Sequence, residues 1–107
     1  MNDILSLFGL CRRANRLAIG FEAVKTAIMS DQAKAVFAAS DISPKTYKEM
    51  EFFAKNKNIS VNRLADDLQT ISKAIGQKAG VIAVLDEGFA RKALSISAFE
   101  EETAYDD

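Results

Sequence analysis

Apolar residues recur along this chain at two kinds of spacing. Intervals of three and four residues predict amphipathic helices, whereas short continuous or alternating apolar runs predict buried strands. The helical segments are NDILSLFGLCRRANR at 2–16, Phe21 to Met29, a stretch that follows Ser43 and begins at Pro44, LQTISKAIG at 68–76 and FARKALSI at 89–96. The strand segments are AKAVFAAS at 33–40, ISVNRLA at 59–65 and VIAVL at 81–85.

Local end signals support these helix boundaries. Ser43 is predicted as an N-cap with Pro44, the chain's only proline, in the first turn. Asp66 or Asp67 is predicted to cap the fourth helix, and Gly76 to close it with a left-handed turn. We interpret residues 17–19, Leu-Ala-Ile, as a link that leads to Gly20 and the start of the second helix.

Helices that alternate with short buried strands predict a three-layer α/β/α sandwich, with a small sheet between the helices. The chain has 107 residues, the size of one compact domain, and 49% of them are apolar, as expected for a chain that folds alone. We therefore predict one domain over 1–98. The acidic tail at 99–107 is expected to be disordered.

The formal net charge of −1 conceals a basic body, because five acidic residues lie in EEETAYDD, at 100–107 with Phe99 before it. Without residues 100–107, 14 basic residues face 10 acidic ones, a formal +4. This balance is compatible with an anionic partner.

The opening segment lacks the features of a signal peptide and no apolar run is long enough to cross a bilayer, so we expect a cytoplasmic protein without a membrane partner.

The composition argues against most catalytic and cofactor chemistry. There is no histidine, and Cys11 is the single cysteine, which we interpret as a buried helix residue. Gly20 is isolated, so neither glycine-rich nucleotide-binding motif is present. The acidic pairs Asp66-Asp67 and Asp86-Glu87 stand where helices begin, which favours capping over metal binding or acid–base catalysis. We expect no enzyme activity, no metal and no cofactor.

Four segments in combination resemble the ribosomal protein L7Ae and L30e superfamily of RNA-binding proteins, most closely its small bacterial YlxQ-like branch. They are LFGLCRRANRLAIGFEAVKTAI, AKAVFAASDISPKT, SKAIGQ and VIAVLDEGFARK, and the resemblance runs from about Leu5 to Lys92. It implies the L30e type of α/β/α fold with a small mixed sheet. For the better understood members it also implies recognition of kink-turns in RNA.

The resemblance implies a contact surface of three segments. In the family a glycine precedes a helix that carries Asn or Lys, then Glu or Gln, and one turn later Lys, and these side chains read sheared G·A pairs. Gly20 matches the glycine, Glu22 takes the Asn position, and Ala23 and Thr26 stand where Glu or Gln and Lys are expected. Lys25 lies one residue before the expected lysine, about 100° around the helix.

Two loops complete this implied surface. Ser40-Asp41-Ile42 matches the family's turn after the strand, and Gly76-Gln77-Lys78-Ala79 matches the loop that presses on a flipped-out base. The predicted RNA contacts are therefore Gly20, Glu22, Lys25, Asp41 and Lys78. Arg12, Arg13 and Arg16 are candidate phosphate contacts.

The sequence leaves more than one function open. The first hypothesis is an RNA-binding ribosomal-type protein for a bent or kink-turn RNA, including ribosomal RNA, with no DNA partner. The alternative is a protein–protein interaction module on the same scaffold, alone or within a ribonucleoprotein. An enzyme is a distant third hypothesis.

Overall fold

A computed structural model describes the backbone of residues 3–105 and the side chains of residues 4–97. It contains four strands, β1 Leu17–Ile19, β2 Ala35–Ala38, β3 Val61–Arg63 and β4 Val81–Val84. The helices are α1 Asp3–Arg13, α2 Phe21–Met29, α3 Pro44–Lys55, α4 Leu68–Ile75 and α5 Glu87–Tyr105. The predicted acidic tail at 99–107 lies outside the residues whose side chains are described.

The strands form one mixed sheet in the order β1-β4-β2-β3. β4 pairs antiparallel with both β1 and β2, and β2 pairs parallel with β3. All residues of β2 and β4 are buried, because helices cover both faces of the sheet. The mixed α/β/α sandwich predicted from the sequence is confirmed.

Alternate residues of the central strands supply two separate cores. Phe37 and Ile82 face the layer of α1, α4 and α5, where the ring centroids of Phe37 and Phe8 lie 5.1 Å apart. Val36 and Ala83 face the layer of α2 and α3. This alternation, with a period of two, places a helix layer on each side of the sheet.

The predicted caps are largely confirmed. Ser43 accepts a hydrogen bond from the Thr46 amide at 3.2 Å, with Pro44 in the first turn of α3. Asp67 accepts one from the Thr70 amide at 2.9 Å, and hydrogen bonds from Thr70 lower the pKa of this carboxyl. Gly76 ends α4 in a left-handed conformation with φ 77°.

The structure corrects the interpretation of residues 17–19 as a link, because they form strand β1 at the edge of the sheet. Ala18 pairs with Ala83 of β4, far along the chain. Three residues are too few to display an alternating pattern, and their strand conformation depends on this non-local pairing. Strands β2 and β3 are shorter than predicted, and α5 begins at Glu87 instead of Phe89.

Cys11 is a core residue, with none of its surface exposed. Burial raises the pKa of its thiol to about 11, and the nearby Asp86 carboxylate adds to the effect. The thiol is therefore neutral near pH 7. The sequence interpretation of Cys11 as a buried residue is confirmed.

We predict that Cys11 makes the protein less stable in alkaline solution. Its pKa is raised from 9.0 to about 11 in the folded state, so the folded state holds the thiol proton more tightly. This contribution to stability is complete below pH 9 and is lost as the pH rises toward 11. Urea denaturation at several pH values should show a smaller alkaline loss in a Cys11→Ala variant; equal losses in both proteins would contradict the prediction.

We also predict that Gly76→Ala destabilises the fold by about 1–2 kcal/mol, the cost of a left-handed conformation for a residue with a Cβ. A Cβ at this position would also lie 2.7 Å from Nη1 of Arg12. Urea denaturation measures the change in the free energy of unfolding. Gln77→Ala is the matched control: Gln77 is exposed, so this variant should stay within about 0.5 kcal/mol of the wild type.

Candidate nucleic-acid interface

Four chain segments meet along the side of the sheet where β1, β2 and β3 end and β4 begins. We call this side the Gly20 edge; it consists of residues 20–22, 39–42, 64–67 and 76–80. The Gly20 amide donates to the Val81 carbonyl at 3.0 Å, and the Ala39 amide donates to Gly80 at 2.8 Å. The Ser40 amide donates to Asp66 at 2.9 Å. Backbone hydrogen bonds therefore bring together the two loops and the helix start that the sequence singled out.

Gly20 is the N-cap of α2, with φ 94° and ψ 163°. Residues with a Cβ rarely adopt this backbone conformation, which accounts for the glycine at this position. No atom lies within 4 Å of where a Cβ would stand, so the requirement comes from the dihedral angle and not from crowding. The prediction that Gly20 begins a helix is confirmed.

The start of α2 differs from the starts of the next three helices. Ser43, Asp67 and Asp86 cap α3, α4 and α5, with the Asp86 carboxylate 2.8 Å from the Phe89 amide. α2 has no side-chain cap hydrogen bond. The first amides of a helix carry no intrahelical partner, so the N-terminus of α2 offers donors and a positive dipole end to an anion.

The outward face of α2 carries Glu22, Ala23 and Thr26, all exposed. Val24, Ala27 and Ile28 face the core. Two ion pairs are found among the described side chains, Lys57 with Asp31 and Arg91 with Glu87, so Glu22 is in neither. The Glu22 carboxylate therefore stands at the start of α2 as an acceptor facing solvent.

Lys25 lies on the flank of α2 that faces α3. Its Nζ is 4.9 Å from the centroid of the Phe53 ring, and the residue is half-buried. A cation–π contact of this kind holds the ammonium group beside the aromatic ring. Lys25 therefore packs against the neighbouring helix, to one side of the face that carries Glu22.

Asp41 fixes one loop of the Gly20 edge to another. Its Oδ1 accepts a hydrogen bond from the Leu68 amide, the first of α4, at 2.9 Å. The bond joins the β2–α3 loop to the start of α4 and gives this carboxylate a structural task. Asp41 lies at the edge, as the resemblance implied, and orders it from within.

Arg63 belongs to the same edge, although the sequence did not single it out. Its Nη1 donates to the Ser40 carbonyl at 3.0 Å, and its guanidinium lies 4.3 Å from the centroid of the Tyr47 ring. Arg63 is exposed, so it adds a positive charge beside the β2–α3 loop. The available sequence signal was a basic residue at the end of a predicted strand.

The α4–β4 loop is held against its own helix. The Ala79 amide donates to the Ser72 hydroxyl at 3.0 Å, which leaves Gln77 and Lys78 exposed. An open groove of about 490 Å³ lies between the outer side of α4 and this loop, with Lys73 and Lys78 among the residues that line it. Lys78 is thus a solvent-facing cation at the Gly20 edge.

The three arginines near the end of α1 do not lie together, because only some of them are near the Gly20 edge; Arg12 lies beside Gly76. Arg12 donates from Nη1 to the Ile75 carbonyl, at the end of α4. The Arg16 carbonyl accepts from the Leu85 amide at 2.9 Å, at the end of β1 opposite Gly20. Arg13 is exposed in the last turn of α1. The structure thus separates Arg16 from the Gly20 edge.

In each of the two acidic pairs, for which the sequence favoured capping over metal binding or catalysis, one residue caps a helix. Asp67 and Asp86 accept the amide hydrogen bonds described above, as the sequence indicated. Within residues 4–97, no group of three or more metal-ligating side chains is close enough to hold a metal ion. None of the helices, over the residues described, is both long and apolar enough to cross a membrane.

Known RNA-binding and ribosomal proteins are similar in sequence to most of this chain. RNA-binding protein YlxQ of Enterococcus faecium is 32% identical over 88 residues, covering 82% of this chain and 84% of that protein. RNA-binding protein YlxQ of Bacillus subtilis is 30% identical over 91 residues, covering 84% and 90%. The large ribosomal subunit protein eL30B of Schizosaccharomyces pombe is 25% identical over 89 residues, covering 81% and 76%.

Solved structures share the same fold. A protein of unknown function from Bacillus halodurans superposes with a TM-score of 0.86 and 32% identity, covering 92% of this chain and 99% of the other. The 15.5kD RNA binding protein of Giardia lamblia gives a TM-score of 0.74 at 13% identity, covering 92% and 84%, which is a likeness of fold alone. The family model for the Ribosomal protein L7Ae/L30e/S12e/Gadd45 family matches residues 2–94, most of the chain, and the protein belongs to that family.

Proposed function

We propose that this protein binds structured RNA through the Gly20 edge and recognises a bent element of the kink-turn type. The observation that carries the proposal is the uncapped N-terminus of α2, which opens beside three loops of the same sheet edge. Two relatives that match over more than four fifths of the chain are named RNA-binding proteins, which supports an RNA ligand.

Each group at the edge has a chemical task in this proposal. The first amides of α2 donate to phosphate oxygens, with the helix dipole favouring the negative charge. The Glu22 carboxylate accepts from the N1–H and N2–H groups of a guanine. Lys78 neutralises the phosphates that crowd together at a bend, and Lys25 supports them from the side of the helix.

Base recognition rests on Glu22 in this proposal, because Ala23 and Thr26 lack the groups that the family pattern carries there. Both residues are exposed on the same face as Glu22. The methyl group of Ala23 cannot replace the carboxylate or amide of Glu or Gln. The hydroxyl of Thr26 cannot replace the positive charge of Lys. The proposed RNA contact is accordingly smaller than the one the family pattern describes.

The proposal is tested by gel shift at several salt concentrations, with a kink-turn RNA and a matched RNA that lacks its G·A pairs. We expect tighter binding to the kink-turn at every salt concentration. Equal, weak binding to both RNAs would refute specific recognition. Capture of a protein partner that survives nuclease treatment, with no RNA preference, would favour the interaction-module alternative.

We predict that Glu22→Ala weakens kink-turn binding by about 1–3 kcal/mol, the usual cost of losing a base contact, and leaves binding to the control RNA unaffected.

Lys78→Gln should weaken binding to both RNAs and reduce the slope of log K against log salt concentration by about one. Both effects are read from the same salt titration. Lys92→Gln, an exposed lysine on α5, is the matched control and should change neither quantity.

A gain of affinity is predicted when the family pattern is completed. Ala23→Gln together with Thr26→Lys adds an amide and a lysine to the exposed face of α2, where neither side chain meets the core. The double variant should bind the kink-turn RNA about 1–3 kcal/mol more tightly than the wild type, the range of one base contact. An equal gain on the control RNA would show that only charge had been added.

A further inference from the structure

The outward side of α3 carries a row of exposed residues that the proposed function does not use. Lys45, Lys48, Phe52 and Lys55 follow one another at intervals of three, four and three, so they share one face of the helix; we call them the α3 stripe. Met50 and Ala54 bury the opposite side. The stripe thus contains three lysines and one aromatic ring.

Phe52 is unusually exposed for its size, with 67% of its surface accessible. Its one described ring neighbour is Phe53, with centroids 5.7 Å apart and ring planes at 72°. An edge-to-face contact steadies the ring and leaves most of it open to solvent. Phe52 therefore contributes little to the core and presents an aromatic surface.

The three lysines of the stripe take part in neither ion pair found among the described side chains. Glu49 and Glu51 flank the row on either side. Burial raises the pKa of Tyr47, and the Glu51 carboxylate adds to the effect, so this acid acts on the side of α3 where Tyr47 packs against Arg63 of β3. The stripe itself is a line of cations interrupted by one ring.

An aromatic contact connects the stripe with the Gly20 edge. The centroid of Phe53 lies 6.4 Å from that of Phe21, which directly follows Gly20 at the start of α2. Phe52 is therefore two ring contacts away from the N-terminus of α2. A chain bound at the Gly20 edge and continuing past Phe21 would reach the stripe.

We propose that the α3 stripe binds a single-stranded RNA segment adjoining the element held at the Gly20 edge, with one base stacked on Phe52 and its phosphates beside the lysines. This inference rests on the proposed function. A row of cations suits a polyanion, and an exposed ring suits the face of any base. Lys48 and Lys55 are about 10 Å apart along the helix axis, on either side of Phe52 along the helix.

The test measures fluorescence anisotropy with four labelled RNAs: the blunt bent element, the same element with a six-nucleotide single-stranded extension at its 5′ end, the same element with that extension at its 3′ end, and the isolated hexanucleotide. Wild type should bind an extended RNA at least fivefold more tightly than the blunt RNA, the lower range for stacking of one base. Phe52→Leu keeps an apolar side chain without a ring, and should remove that gain while binding the blunt RNA as wild type does.

Two further variants complete the design. Lys48→Gln with Lys55→Gln should reduce the gain and weaken its salt dependence. Leu10→Ala is the control, because Leu10 is also an exposed apolar residue but lies on α1. It should leave the gain in affinity for the extended RNA unchanged. Circular dichroism and urea denaturation establish that each variant is folded before binding is measured.

The outcomes separate this inference from the proposed function. If wild type binds the kink-turn RNA and the matched RNA without G·A pairs equally in the gel shift, but binds the hexanucleotide in a Phe52-dependent way, the stripe is supported and the kink-turn proposal fails. If neither extension increases affinity, or if Phe52→Leu retains the full gain, the stripe proposal is overturned. Capture of an acidic protein that needs Phe52, without any effect on RNA binding, would overturn it as well.

Discussion

The position of β4 in the sheet is the constraint on which the rest of the structure depends. It pairs with β1 on one side and β2 on the other, and both of its faces are buried. The carbonyl of its first residue, Val81, accepts the Gly20 amide, and the preceding Gly80 accepts the amide of Ala39. The start of β4 thus holds the start of α2 and the end of β2 next to each other. The candidate interface follows from that alignment.

Some polar groups near the Gly20 edge hold its loops in place, and others are free of that task. Asp41, Ser72 and Arg63 bond to backbone groups and shape the loops, whereas Glu22 and Lys78 face solvent. Charge alone does not distinguish these two sets. Arg12, which the sequence offered as a candidate phosphate contact, donates a hydrogen bond to the Ile75 carbonyl at the end of α4.

The sequence predicted what local chemistry determines. Ser43 with Pro44, and Asp67 with Gly76, are signals within a few residues of the helix ends they control, so the start of α3 and both ends of α4 were predicted closely. β1 was missed because its pairing partner is remote in the chain. The contact of Lys25 with Phe53 and the bond from Asp41 to Leu68 are also long-range, so the segments of the candidate interface were predictable from the sequence but the orientation of their side chains was not.

The hydrogen bond between Asp41 and the Leu68 amide has a consequence for binding thermodynamics. Together with the Ser72 bond to Ala79 and the Arg63 bond to Ser40, it restrains three loops in the absence of any ligand. A ligand at this edge meets a preorganised surface, so association loses less loop entropy than it would with mobile loops. In the proposed RNA complex, the cost of ordering would then fall chiefly on the RNA, because the protein loops are already restrained.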